Sequence, residues 1–220
     1  MNLELIKTTD GSNTYKIPEW DEHYHSKYGA LTESMHLFIE NGYKRCVENP
    51  ISILEIGFGT GLNTILTYIQ SKKNGKSVNY VGIEKYPLSW NQIHFLEYEK
   101  IIHDEYIESF QKMHKCSWGE IVQIDDLFSL KKVEKDLREY EPDQHFSIIY
   151  FDAFAPDLQP DLWTTDIFSK LYKCLNSNGI LITYTIKGLV RRTLSDCGFK
   201  VEKIPGPKGG KRENLLAVKI

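Results

Sequence analysis

Leu54-Glu55-Ile56-Gly57-Phe58-Gly59-Thr60-Gly61-Leu62 is the stretch on which the fold turns. Ile51, Ile53, Leu54 and Ile56 make an apolar run that reads as a buried parallel strand. Three glycines break the run, and a helical period resumes at Leu62, Ile65, Leu66 and Ile69. Strand, glycine turn and helix N-terminus bring backbone amides against a ligand in an open α/β sheet.

The spacing narrows the ligand. A dinucleotide asks for G-x-G-x-x-G, with the pyrophosphate on the helix start. Here the third glycine comes one place early, at Gly61, and Leu62 fills the dinucleotide position. Glu55 stands two places before Gly57. That acidic-x-G-x-G-x-G pattern resembles motif I of the S-adenosylmethionine-dependent methyltransferases. Their cofactor has no phosphate, and its methionine end carries an ammonium that a carboxylate near the turn can hold, directly or through water. A second acidic group is wanted at the end of the next strand for the ribose hydroxyls, and residues 78–84 end in Glu84. The resemblance therefore implies a cofactor site made by Glu55, Gly57, Phe58, Gly59, Thr60, Gly61, Asn63, Glu84 and Lys85.

The bulk composition is that of a globular chain. With 220 residues, 41% hydrophobic and 26% charged, and no repeat or low-complexity run, it reads as one domain with a substantial core. Residues 1–45 are an N-terminal extension and helix within it, and residues 86–118 a helical insertion. The first residues are polar, and no apolar run approaches the roughly 20 residues that span a bilayer, so neither secretion nor membrane insertion is expected. Cys46, Cys116, Cys174 and Cys197 are scattered without a C-x-x-C, as free thiols in the cytoplasm would be. The formal charge of −3 conceals an asymmetry: residues 187–220 hold nine basic against three acidic residues, +6, which leaves −9 for residues 1–186. A basic end on an acidic body suits an anionic partner, nucleic acid first, and a solvated charged surface accounts for it equally.

Along the chain, Met35, Phe38, Ile39 and Gly42 share one face of a helix over 32–44. His23 and His25 alternate as metal ligands on a strand would, but no third ligand can be nominated and no metal is expected. Helical patterns over 88–100 and 103–115 exceed what one crossover needs, and such insertions build substrate walls. Residues 121–124 read as the third strand, ending in Asp125-Asp126. Either carboxylate can accept from the adenine amino group, or Asp126 caps a helix over 127–140; one sequence does not separate these roles. Residues 146–151 are the fourth strand and deliver Asp152-Ala153-Phe154-Ala155-Pro156 to its carboxyl end, where ligands lie. A helix from Pro160 to Leu175, a fifth strand over 180–184, a helix over 187–197 and closing strands over 199–204 and 214–219 complete the reading. The element order is α/β, and the resemblance implies a Rossmann-like class I methyltransferase fold with a seven-stranded, mostly parallel sheet and an antiparallel last strand.

Three segments in order resemble one narrower family. They are Gly57-Phe58-Gly59-Thr60-Gly61-Leu62-Asn63; Asp152-Ala153-Phe154-Ala155-Pro156 with Pro160-Asp161-Leu162-Trp163; and Thr183-Tyr184-Thr185 through Val190-Arg191-Arg192 to Gly210-Lys211-Arg212-Glu213. Glu84-Lys85-Tyr86-Pro87-Leu88 fits as well. All resemble the methyltransferase half of the bifunctional bacterial tRNA wobble-uridine enzymes, the MnmC family, which form 5-methylaminomethyl-2-thiouridine. The bifunctional enzymes continue into an FAD-dependent oxidase domain, whereas this sequence stops at Ile220 and resembles stand-alone members. Those receive an aminomethyl-uridine made by a separate enzyme. The Ala153-Phe154 step varies on an Asp-Gly-Phe form of some relatives, a change that keeps the loop's shape.

The resemblance implies methyl transfer from S-adenosylmethionine to a primary amine on the anticodon stem-loop of tRNA. The amine must be neutral and in line with the methyl–sulfur bond. Asp152 is the candidate catalytic group, accepting the amine's hydrogen bond and its proton, with loop capping or simple orientation as the plainer alternative. Phe154 or Trp163 is the candidate stacking partner for an everted base, unless they are core. Lys187, Arg191, Arg192, Lys208, Lys211 and Arg212 are the candidates for phosphate contacts. The rival functions are a methyltransferase of a small amine or a protein, and a non-catalytic cofactor-binding partner of another RNA enzyme. A dinucleotide oxidoreductase ranks last on glycine spacing.

Overall fold

The computed structural model describes residues 2–207 and 213–220. The chain opens with a small antiparallel sheet of β1 (Glu4–Lys7), β2 (Asn13–Ile17) and β3 (Glu22–His23). Where one helix is predicted over 32–44, α1 (Ala30–Ser34) widens into a π-helical turn over Met35–Glu40. Then come β4 (Ile51–Ile56), α2 (Leu62–Asn74), β5 (Val78–Glu84), α3 (Trp90–Phe95), α4 (Ile107–Lys115), β6 (Ile121–Asp125) and β7 (Phe128–Glu134). The last elements are β8 (Phe146–Phe151), α5 (Thr165–Cys174), β9 (Leu175–Thr183), α6 (Gly188–Asp196), β10 (Phe199–Pro205) and β11 (Glu213–Lys219).

The main sheet has the order β10-β11-β9-β8-β4-β5-β7-β6. Strands β9, β8, β4, β5 and β7 run parallel, and β11 runs antiparallel to both its neighbours, as the sequence predicts for the last strand. Among the described residues the sheet has eight strands, one more than predicted. Every residue of β8 and all of β4 but Ser52 are buried, the mark of strands covered on both faces. Ile51, Ile53, Ile148 and Tyr150 pack in the layer with α2 and α4, whereas Leu54, Ile56, Ile149 and Phe151 pack in the layer with α5 and α6. The strand period of two therefore turns Glu55 toward α2.

The extra strand is β7, where the sequence reading expects a helix over 127–140 capped by Asp126. Phe128 and Leu130 alternate inward, and the next inward position holds Lys132, only 1% exposed. A lysine at a core position hid the alternation. Its Nζ donates to the His114 carbonyl at 2.7 Å and lies 4.8 Å from the Trp118 ring centroid, which offsets much of its desolvation. Burial pushes the Lys132 ammonium's pKa down. The consequence for the site is large. β7, not β6, is the parallel neighbour of β5, and β6 folds back antiparallel, so that Asp125 pairs with Phe128 at the amino end of β7.

Candidate active site

The carboxyl ends of β4, β5, β7 and β8 meet around a cavity of about 390 Å³, within the usual range of small-molecule sites. The glycine turn after β4 forms one wall. Gly57 has φ +88°, and a Cβ there would stand 2.7 Å from the Asp152 carbonyl oxygen, so only glycine lets the two loops pass. Gly61, with φ +70°, is the N-cap of α2. The turn's amides are already engaged. Gly57 and Phe58 donate to the Ile83 carbonyl at 3.0 and 2.9 Å, and Gly61 donates to that of Phe58 at 2.8 Å. Gly59 donates to Glu84 Oε2 at 3.0 Å. With those glycine amides engaged, the turn has fewer donors left for a pyrophosphate, which adds to the argument from glycine spacing.

Glu84 ends β5 at the cavity, and its Oε1 accepts the Tyr86 N–H at 2.9 Å. Asp152 follows β8 and lines the cavity as well, its own N–H fixed to the Ile56 carbonyl at 2.9 Å. Asp152 Oδ2 accepts from Asn63 Nδ2 at 2.8 Å, and the same nitrogen donates to Glu55 Oε1 at 2.8 Å. Glu55 Oε2 accepts from Thr64 Oγ1 at 3.1 Å and from the Tyr80 hydroxyl at 2.9 Å. Glu55 is fully buried behind Asn63 and is not part of the cavity lining. Burial pushes its carboxyl up to about 8; the Asn63 hydrogen bond opposes this and the Asp152 charge adds to it. Glu55 therefore meets the cavity only through Asn63, which lines it. Asn63 Oδ1 is buried and has no donor among the described residues.

Asp125 and Asp126 lie at the opposite edge of the sheet and do not line the cavity. Asp125 pairs with Lys72 Nζ at 2.6 Å and accepts from the Tyr68 hydroxyl at 3.0 Å and the Leu127 N–H at 2.8 Å. Burial raises the Asp125 carboxyl, but these partners outweigh it and hold the pKa below its ordinary value. Asp126 is exposed, and no helix follows it to be capped. The place predicted for them is taken by the loop after β7, where Lys135, Asp136, Leu137 and Arg138 line the cavity. Asp136 pairs with Arg138 at 2.7 Å and Lys85 at 2.9 Å, and the Arg138 guanidinium above all holds its carboxyl well below the carboxylate range.

Phe154 lines the cavity and meets Trp20 and Tyr24 edge-on, with centroids at 5.6 and 5.2 Å. These two partners and His25 come from the N-terminal region, which sequence reasoning did not assign to the site. The polar and aromatic residues of 21–26 were its signal, but they carry no period. His25 Nε2 lies 2.7 Å from Thr60 Oγ1, and burial pushes its pKa down to about 4, so it is neutral at pH 7. Trp163 is 5% exposed, packs on Phe151 and Phe168, and donates its indole N–H to the Phe154 carbonyl at 3.0 Å. It is core, and it supports the Phe154 loop. Arg191 and Arg192 are exposed on α6, and Lys187, just before it, pairs with Asp157. Lys208, Lys211 and Arg212 lie outside the described residues. Among the described residues no three His, Cys, Asp or Glu side chains are grouped to hold a metal, and no helix is long and apolar enough to cross a membrane.

The donor set suits a cationic ligand. Glu84, Asp136 and Asp152 and the neutral imidazole of His25 line a cavity whose glycine amides are spent. A sulfonium cofactor with an ammonium at one end and a ribose diol at the other fits such a lining. Comparison with known proteins agrees. Residues 93–220, more than half the chain, match a family described as S-adenosyl-L-methionine-dependent methyltransferase. The chain is 32% identical over 213 residues to the tRNA 5-methylaminomethyl-2-thiouridine biosynthesis bifunctional protein MnmC of Leptospira interrogans, covering 90% of this chain and 32% of that protein. It thus spans about a third of the length of the MnmC proteins it matches. Among solved structures, MNMC2 from Aquifex aeolicus superposes with a TM-score of 0.74 at 27% identity, covering 98% of this chain and 70% of that one. Spermidine synthase from Thermotoga maritima, with a TM-score of 0.61 at 15% identity over 99% and 69%, shares the fold. The chain belongs to the S-adenosyl-L-methionine-dependent methyltransferase family.

Proposed function

We propose that the protein transfers a methyl group from S-adenosylmethionine to the primary amine of an aminomethyl-uridine at the wobble position of tRNA, giving 5-methylaminomethyl-(2-thio)uridine. The observation that carries this is Asp152 beside the Phe154–Trp20–Tyr24 wall, on the same cavity as the glycine turn. The likeness to MnmC and to MNMC2 supplies the substrate.

When bound, the cofactor supplies an electrophilic methyl on a cationic sulfur. Glu84 would take the ribose hydroxyls, and the Asp136–Leu137 segment the adenine. The Asp152 carboxylate, oriented by Asn63 Nδ2, would receive the ammonium, and the methyl would face the aromatic wall. Asp152 accepts a hydrogen bond from the incoming amine, keeps its lone pair in line with the methyl, and accepts the proton that transfer makes acidic. Phe154, backed by Trp163 and flanked by Trp20 and Tyr24, offers an aromatic edge and face to an unstacked uracil. Arg191 and Arg192, with Lys208, Lys211 and Arg212, contribute the phosphate contacts of the stem-loop. The substrate amine would come from a separate enzyme acting on the same tRNA in the cytoplasm, and no metal is needed.

The test is incubation with methyl-labelled S-adenosylmethionine and tRNA that lacks the final methyl, followed by nucleoside mass spectrometry. Label in the wobble nucleoside is expected. Label only in a small amine or in protein, with none in tRNA, would overturn the substrate assignment.

A further inference from the structure

The acidic residue of the glycine motif does not sit where a counter-charge for the cofactor would have to sit. Glu55 is 0% exposed, and its two oxygens already receive Asn63, Thr64 and Tyr80. Asn63 is the link. Its single side-chain nitrogen gives one N–H to Glu55 and the other to Asp152, each at 2.8 Å. Chemistry fixes that orientation, because the reversed amide would press its oxygen against two acidic oxygens. The same orientation leaves Asn63 Oδ1 as a buried acceptor without a donor among the described residues. An orphan of this kind costs free energy until something donates to it.

We propose that Glu55 is a positioning residue: through the Asn63 carboxamide it sets the Asp152 carboxylate, and it is not itself the counter-charge for the cofactor's ammonium. This rests on the reading of the cavity as a methyl-donor site with Asp152 beside the acceptor. The titratable groups facing Glu55 are Tyr80 from β5 and Tyr150 and Asp152 from β8, with Asn63 and Thr64 from α2. The hydrogen bonds from Asn63, Tyr80 and Thr64 favour the ionised form, but no cation faces Glu55, the Asp152 charge has the same sign, and burial outweighs the three donors. The Glu55 carboxyl is held up at about 8, and the charge that faces the cavity is that of Asp152.

Glutamine separates the two roles. In Glu55→Gln the side-chain oxygen still accepts from Asn63, and the new N–H₂ can donate to the Tyr80 or Thr64 hydroxyl. In Glu55→Leu the Asn63 N–H loses its acceptor. Both variants and Asn63→Leu are compared for S-adenosylhomocysteine affinity by calorimetry, for turnover on tRNA, and for melting temperature without ligand at pH 5 and pH 8. Glu55→Leu is expected to lose about tenfold or more in turnover, Glu55→Gln to restore most of it, and the Glu55→Leu/Asn63→Leu double variant to be no worse than Asn63→Leu. Glu55→Gln should also gain melting temperature relative to the wild type between pH 5 and pH 8. A carboxyl protonated in the folded state and ionised in the unfolded state weakens folding as pH rises through that window. If Glu55→Gln loses about tenfold or more in S-adenosylhomocysteine affinity, or the melting difference does not change with pH, the proposal is overturned. Should Glu55→Leu fail to fold, those two arms decide alone. Neither uses tRNA, so a wild type inactive on tRNA would overturn the substrate and leave this proposal standing or falling on its own result.

Discussion

Asp125 and Asp136 bracket the same strand, β7, and meet different fates. Asp125 closes the amino-end turn, with an ion pair to Lys72 and two further hydrogen bonds. Asp136 sits at the carboxyl end, on the cavity wall, held by Lys85 and Arg138. Both are acidic residues next to a strand, and local sequence gives them similar standing. What separates them is the direction of the strand each one adjoins, because only the carboxyl edge of a parallel sheet faces ligand. Inserting one antiparallel strand, β6, moves a motif from one edge of the sheet to the other.

Substitutions on the two edges should therefore diverge. The largest effect belongs to Asp152→Asn: turnover on tRNA should fall by about 10²-fold or more, as expected on losing a general base, while S-adenosylhomocysteine affinity falls by about tenfold with the loss of the ammonium's counter-charge. An equal loss in both, read by calorimetry and initial rates, would assign Asp152 to cofactor binding alone. Glu84→Ala removes the acceptor for the Gly59 and Tyr86 N–H groups and should weaken that affinity by roughly 10- to 100-fold. Asp136→Asn breaks its pairs with Lys85 and Arg138 at the wall and should weaken it by about threefold to tenfold. At the other edge, Asp125→Asn should leave affinity unchanged and lower unfolding stability by less than about 1 kcal/mol, measured by denaturant titration. A weakened affinity in Asp125→Asn would erase the contrast between the edges.

The parts legible in the sequence were those with a local signature. The run into Gly57, Gly59 and Gly61 announces a strand, a turn and a helix within a dozen residues, and Glu84 and Asp152 each end a clear apolar strand. The final hairpin was legible for the same reason. β7 was not, because Lys132 occupies an inward position and is stabilised there by Trp118 and the His114 carbonyl, partners that only the fold supplies. Trp20, Tyr24 and His25 were missed as wall residues since their contact with Phe154 and Thr60 is long-range and leaves no period. Glu55 is legible in the motif, but its burial is not. Nothing in its spacing from Gly57 tells that Asn63 stands between it and the cavity.

Hydrogen–deuterium exchange with and without S-adenosylhomocysteine tests the central assignment most directly. Ligand should slow exchange over residues 57–63, 84–86 and 135–138 and leave 121–127 unchanged. Protection of 121–127 with none at 135–138 would put the cofactor on the wrong edge of the sheet and contradict the account.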